Sequence, residues 1–296
     1  MKAFVMLAVL LCAPAFAAGM RVTDDSGRTV VLPAPARRIV SLAPHLTELL
    51  FAAGAGARVV GATQYSDYPA AAKKVPRVGS FTAVDMEAVI ALKPDLVIAW
   101  QSGNRDQRFD MLERLGIPVY VSEAHVLDDV ARSLEVFGRL AGSEQEAGRA
   151  ARAFRERRDA LARRYADRPV LGVFYEIWNA PLMTINGQHL ISQVMALCGG
   201  RNVFASLPML APTVTVESVI AASPQVIVAS GMDEARPEWL DDWRRWTSIP
   251  AVGRDNLYFI PPEMLQRHTP RILDGATLLC SQLEQARTKG ASRSGQ

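Results

Sequence analysis

The sequence holds little of what catalytic or metal-binding chains usually display. Its 296 residues include only three cysteines and four histidines. It contains no HExxH, no CxxC, no nucleophile elbow and no phosphate-binding glycine loop, which removes the common zinc hydrolase, thiol redox, serine hydrolase and nucleotide-binding readings. Gly54, Gly56 and Gly61 form a loose dinucleotide-like pattern, but the spacing is wrong and they follow a helical pattern, so they read as a helix stop. His45, His125, His189 and His268 lie far apart in the chain and read as surface or internally satisfied residues rather than a dedicated metal site. Charge of one sign is also scarce, with 33 Lys and Arg against 30 Asp and Glu. No basic patch is interleaved with aromatics, and the densest basic run, 149–168, is broken by Glu156, Asp159 and Asp167, as expected of a solvated helix face.

Long apolar runs are absent beyond the N-terminus. There, Lys2 precedes an apolar stretch over 3–13 that has the length of a signal-peptide core and is too short to span a bilayer. Ala15-Phe16-Ala17 fits a small-x-small cleavage site, giving a mature chain from Ala18. Leu11 stands before Cys12, where a lipid-anchored cysteine wants a small residue, so an unanchored periplasmic protein is expected. Removal of the signal leaves Cys198 and Cys280, an even pair that reads as a disulfide in an oxidising compartment, with two buried thiols as the alternative.

The rest of the chain alternates short apolar runs with helical patterns. Strands are expected over 38–42, 59–62, 96–100 and 119–121, with helices over 44–53, 86–92, 107–115 and 128–140. A second set follows, with strands over 170–175, 226–230 and 257–260 and helices over 190–198, 216–222 and 271–283. Between them, 144–165 has no proline and one apolar stripe (Ala147, Ala151, Phe154, Leu161 and Tyr165), as suits a strut packed across two lobes. The clearest organisational sign is an internal repeat: EAVIALKPDLVIA at 87–99 returns as ESVIAASPQVIVA at 217–229. One helix-turn-strand unit in both halves predicts two similar α/β lobes with parallel-type sheets and a ligand cleft between them. The expected division is a signal over 1–17, a first lobe over 18–141, a linking helix over 142–167, a second lobe over 168–289 and a flexible tail over 290–296.

Aromatic and turn-forming residues gather where strands end. Tyr65-Ser66-Asp67-Tyr68-Pro69 follows one strand, Phe81 precedes the first repeat helix, Trp100 ends the first repeat strand, and Trp178 follows a strand of the second half. Flat rings at such a rim suit a large flat ligand; core or hinge packing is the plainer alternative for Phe81 and Trp178. Glu87 and Glu217 open the two repeat helices, where they either complement the helix dipole or serve as paired docking points for a two-fold symmetric partner.

RIVSLAPHLTELLFAAG (38–54), YSDYP (65–69), DMEAVIALKPDLVIAW (85–100), LCGGRNVF (197–204) and RHTPRI (267–272) resemble the cobalamin and siderophore class of ABC importer binding proteins, most narrowly its cobalamin branch. The resemblance covers nearly the whole mature chain. It implies two Rossmann-like lobes joined by one stiff helix, and a monomer that carries a cobalamin-type corrinoid to a permease dimer with ATPase subunits. Cobalamin is then the transported ligand, with no resident cofactor or metal. Pro44, Tyr65, Phe81, Trp100 and Arg267 match ligand-lining positions, and Glu87 and Glu217 match glutamates that pair with permease arginines. Cys198 and Cys280 match a disulfide of the cobalamin branch. Where that branch carries tryptophan, this chain has Phe81, Ala211 and Met264, and Trp178 would restore one wall. His268, beside Arg267, would hydrogen-bond a ligand amide or touch a metal centre. The rival ligands are a ferric siderophore or haem; the more distant rivals are a periplasmic enzyme and a ligand sensor without transport.

Overall fold

The computed structural model describes residues 19–104, 109–231 and 235–294. The expected signal peptide, its cleavage site and Cys12 lie outside the described residues. Two four-stranded sheets form the framework, and both are wholly parallel. The first runs in the order Val59–Ala62, Ile39–Ser41, Leu96–Trp100, Val119–Ser122. The second runs Gly200–Asn202, Leu171–Glu176, Val226–Ala229, Leu257–Phe259.

The repeat explains the likeness of the halves. Leu96–Trp100 and Val226–Ala229 are both inner strands of their sheets. The helix before each strand is capped by a side chain: Asp85 accepts from the Ala88 N–H at 2.9 Å, and Thr215 accepts from the Ser218 N–H at 3.2 Å. Each helix is then stopped by a left-handed residue just before proline, Lys93 (φ 46°) ahead of Pro94 and Ser223 (φ 49°) ahead of Pro224. Apolar residues at every position let both strands be covered on two faces. Leu96 and Ile98 face one core while Val97 and Ala99 face another, and Val226 and Val228 likewise alternate with Ile227 and Ala229.

The inward faces of both sheets share a single apolar core. Glu144–Tyr165 is one helix and runs through that core, burying the expected stripe of Ala147, Ala151, Phe154, Leu161 and Tyr165. It packs against the preceding helix, Leu127–Ala141, at a point where Gly138 is required: a Cβ there would lie 2.2 Å from that of Ala147. Arg155 and Arg158 reach across to Asp128, pinning the pair from the wet side. Cys198, just after the helix Leu190–Leu197, is bonded to Cys280 on the last helix.

Several features depart from the sequence reading, among them the edge strand Gly200–Asn202. An antiparallel hairpin, Met20–Thr23 with Thr29–Leu32, precedes the first sheet; its turn is built on Asp24, whose Oδ1 accepts from the N–H groups of Ser26 and Arg28. A 3-10 segment, Glu238–Arg245, buries Leu240 and Trp243 against the outer face of the second sheet. The last helix runs Ile272–Ser294, into residues expected as a loose tail. Arg287 holds it down, donating to the carbonyls of Pro169, Cys198 and Gly199.

Candidate functional site

The carboxyl ends of the first sheet set one wall of an interlobe cleft. Trp100 ends its strand, and the loop after it folds back: the Asn104 side chain accepts from the Trp100 N–H at 2.7 Å and donates to the carbonyls of Leu42 and Phe81. Gly103 passes so close to the indole that a Cβ there would lie 1.9 Å from the ring, so only glycine fits. The indole N–H donates to Glu123, whose other oxygen accepts from the Ser102 N–H at 2.8 Å. Phe81 lies 5.8 Å from Trp100, and His45, in the first turn of the helix Pro44–Ala52, meets the indole edge-on at 4.9 Å.

The opposite wall comes from the second lobe. His268 follows the short helix Pro262–Leu265 and lies 6.4 Å from His45 and 6.0 Å from His189. Three histidines expected to be scattered therefore converge across the cleft, over more than 200 residues of chain. The reason is topological, since each sits at the lobe edge that faces its counterpart. A cavity of about 420 Å³ opens beside them, lined by Gln101, Ser102, Glu123, His189, Leu210 and His268 among others.

The three rings are uncharged at neutral pH. Burial, reinforced by His268 and Arg267, pushes His45 down to about 3. Burial, with His268 beside it, pushes His189 down to about 4. Burial also lowers His268, aided by His125 and opposed by Glu123. The Nδ1 of His189 accepts from the Ile191 N–H at 3.2 Å, so its Nε2 carries the proton. Among the described residues no group of three or more His, Cys, Asp or Glu is arranged to hold a bare metal ion.

The other expected residues divide. Arg267 is half-buried close to His45, and Pro44 opens the helix that carries His45. Tyr65 has a left-handed backbone (φ 62°) and is 67% exposed. Its loop is fixed beneath by buried Ser66, which meets Thr47 and whose carbonyl accepts from Arg77. Trp178 is not drawn into the Trp100 cluster; it lies in the small hairpin Trp178–Asn179 with Leu182–Met183, and its indole donates to the Ala180 carbonyl at 2.8 Å. Met264 packs on the shared core, and Leu210 rather than Ala211 reaches the cavity.

Glu87 and Glu217 are exposed in the first turns of the repeat helices, and among the described residues neither has an ion-pair partner. Local hydrogen bonds from its own N–H and from Thr215 hold the Glu217 carboxyl below its usual range.

One contact was not legible in the sequence. Arg271 of the second lobe grips Glu48 of the first through two hydrogen bonds, of 2.8 and 2.7 Å, and lies 4.0 Å over the Tyr68 ring.

Residues 39–264 match the periplasmic binding protein family, and the chain belongs to it. It is 36% identical over 253 residues to the vitamin B12-binding protein of Vibrio cholerae serotype O1, covering 85% of this chain and 91% of that one. It is 37% identical over 255 residues to the vitamin B12-binding protein of Yersinia pestis, covering 86% and 89%. Among solved structures, the periplasmic vitamin B12-binding protein of Vibrio cholerae superposes with a TM-score of 0.78 at 36% identity, over 86% of this chain and 99% of that one.

Proposed function

We propose that this periplasmic binding protein captures a cobalamin-type corrinoid in its interlobe cleft and hands it to the permease dimer of an ABC importer, without converting it to another product. The observation that carries the reading is the meeting of Phe81, Trp100 and His45 of the first lobe with His268 and His189 of the second, beside a polar-lined cavity. Such rings desolvate the flat face of a macrocycle, while Gln101, Ser102 and Arg267 offer partners to its peripheral amides. A cavity of about 420 Å³ takes only part of so large a ligand, and exposed Tyr65 is the ring we assign to the remainder. The names of the relatives in Vibrio and Yersinia support the same cargo.

An anionic ferric siderophore fits less well. It would need several unspent cations in the cleft, and Arg271 is committed to Glu48, which among the described residues leaves Arg267 as the main one. Haem is the second reading, favoured by the three neutral histidines. Glu87 and Glu217, unpaired and equivalent by the repeat, are the docking points for the two permease subunits. The test is calorimetric titration of the purified mature protein with cyanocobalamin, ferric haem and ferric siderophores in parallel. One-to-one, sub-micromolar binding of cyanocobalamin alone is expected. Tight binding of haem or a siderophore without cobalamin would overturn the cargo.

A further inference from the structure

We propose that His268 supplies an axial nitrogen to the metal at the centre of the bound macrocycle, displacing an exchangeable ligand from its face. The inference rests on the corrinoid reading and adds to it a preference among corrinoids, set by what already occupies the metal.

Three imidazoles meet at the cleft, and their surroundings separate them. His189 has its Nδ1 engaged by the Ile191 N–H, so its remaining nitrogen bears a proton and offers no lone pair. His45 stands edge-on against Trp100, as part of the aromatic wall. His268 lies between these two rings and lines the cavity itself. Among the described residues no hydrogen bond reaches its ring, so a half-buried imidazole faces the cavity with both nitrogens unspent. Burial keeps the ring neutral, which leaves a lone pair available.

The same surroundings define the metal it can take. A bare ion needs three or four protein ligands, and no such group exists among the described residues. A single free imidazole suits a metal that arrives already chelated in its equatorial plane, with one axial position open to exchange. Phe81 and Trp100, 5.8 Å apart, add apolar ring surface to the same lobe edge.

The step is a substitution with no change of oxidation state. In a cobalt(III) corrinoid carrying water, the cobalt–oxygen bond breaks and water leaves. The His268 lone pair forms the cobalt–nitrogen bond, and the imidazole proton stays on the other nitrogen. A cyanide-capped corrinoid exchanges poorly and would bind through the cleft walls alone.

The experiment is a visible-absorption titration of the full-length mature protein with aquocobalamin and with cyanocobalamin. Expected is a shift of the aquocobalamin bands toward those of its imidazole complex, no comparable shift for cyanocobalamin, and affinity for aquocobalamin at least tenfold higher. His268→Ala and His268→Gln should abolish the shift and bring the two affinities together while cyanocobalamin still binds. His45→Ala should keep the shift, whatever it does to affinity. If cyanocobalamin binds the native protein and aquocobalamin binds with an unshifted spectrum, this inference fails and the corrinoid reading stands. A shift that survives in His268→Ala, or disappears in His45→Ala alone, also overturns it. If neither corrinoid binds while ferric haem does, both readings fall together.

Discussion

The contact between Arg271 and Glu48 invites a direct perturbation. The Glu48 side chain is only 2% exposed and that of Arg271 18%, so both charges are largely removed from water. Two short hydrogen bonds join them in the bidentate geometry that makes arginine–carboxylate pairs strong. Removing one member of a buried pair costs about 3–5 kcal/mol, chiefly because the other charge is left stranded. Arg271 keeps some exposure and its place over Tyr68, worth about 1 kcal/mol as a cation–π contact, so Glu48→Ala should fall near the low end, about 3 kcal/mol. Replacing both partners together, as Glu48→Leu with Arg271→Met, strands nothing and should recover most of that loss. Urea denaturation followed by circular dichroism reads both values. A loss below about 1 kcal/mol for Glu48→Ala, or a double variant as unstable as the sum of its singles, would refute the reasoning.

Breaking the Cys198–Cys280 bond with a paired Cys→Ser variant opens an 82-residue loop and should lower stability by up to about 4.5 kcal/mol in the chain-entropy account; an unchanged urea midpoint would contradict it. The neutral histidines should make the fold acid-sensitive, because the unfolded rings bind protons first. Their contribution is intact above about pH 6.5 and is lost as pH falls toward about 4 for His189 and about 3 for His45, on the order of 2 kcal/mol from His45 by pH 5. A His45→Asn variant with the native pH slope would rule this out. Glu176, 1% exposed and bonded to the Trp243 indole, acts in the opposite sense: burial pushes it up to about 8, so it costs stability as pH rises from about 4.5 to 8. Glu176→Gln should therefore stabilise by about 3 kcal/mol at pH 7 and by almost nothing at pH 4.5, and a gain independent of pH would count against that cause. Glu87→Ala with Glu217→Ala should leave ligand titrations unchanged and weaken binding to detergent-solubilised permease on the order of tenfold; undiminished docking would remove their assigned role.

What could be read from the sequence was local or repeated. The apolar runs at 96–100 and 226–229, each with its capped helix and proline turn, carry their own strand and helix signals, and their recurrence conveys two similar lobes. The strut helix announces itself by the stripe from Ala147 to Tyr165. That Trp100 and Phe81 gather at one lobe edge was legible for a different reason: both stand at strand ends and loop edges, where ring position follows from topology. The histidine convergence and the Glu48–Arg271 pair were not legible, because each joins residues far apart in the chain whose neighbours in sequence say nothing of the match. His45, one residue from Pro44, reads in sequence as a surface or internally satisfied histidine, since a lone histidine on a helix gives no sign of what it faces. The hairpin at 20–32 was lost among four-residue strands too short for alternation to register.

The repeat also bears on how capture and delivery relate in space. In each copy the helix runs back against the strand that follows it, so the start of the helix lies at the carboxyl end of the strand. That is the end where Trp100 closes Leu96–Trp100, and where Glu87 opens Met86–Ala91. The second copy sets Glu217 at the matching edge of its own sheet. A partner that grips both glutamates therefore approaches from the mouth of the cleft and covers it. The wall beneath is held by a core common to both lobes, by the strut helix, by the disulfide on the second lobe's side and by the Glu48–Arg271 contact across the gap. Swinging the lobes apart as rigid bodies would expose Phe154 and Tyr165 and strand a buried charge pair, so free opening is expensive in the isolated protein. If Glu87 and Glu217 dock the permease as proposed, release would fall to that partner, pulling on the two repeat helices at the edge from which the ligand must leave.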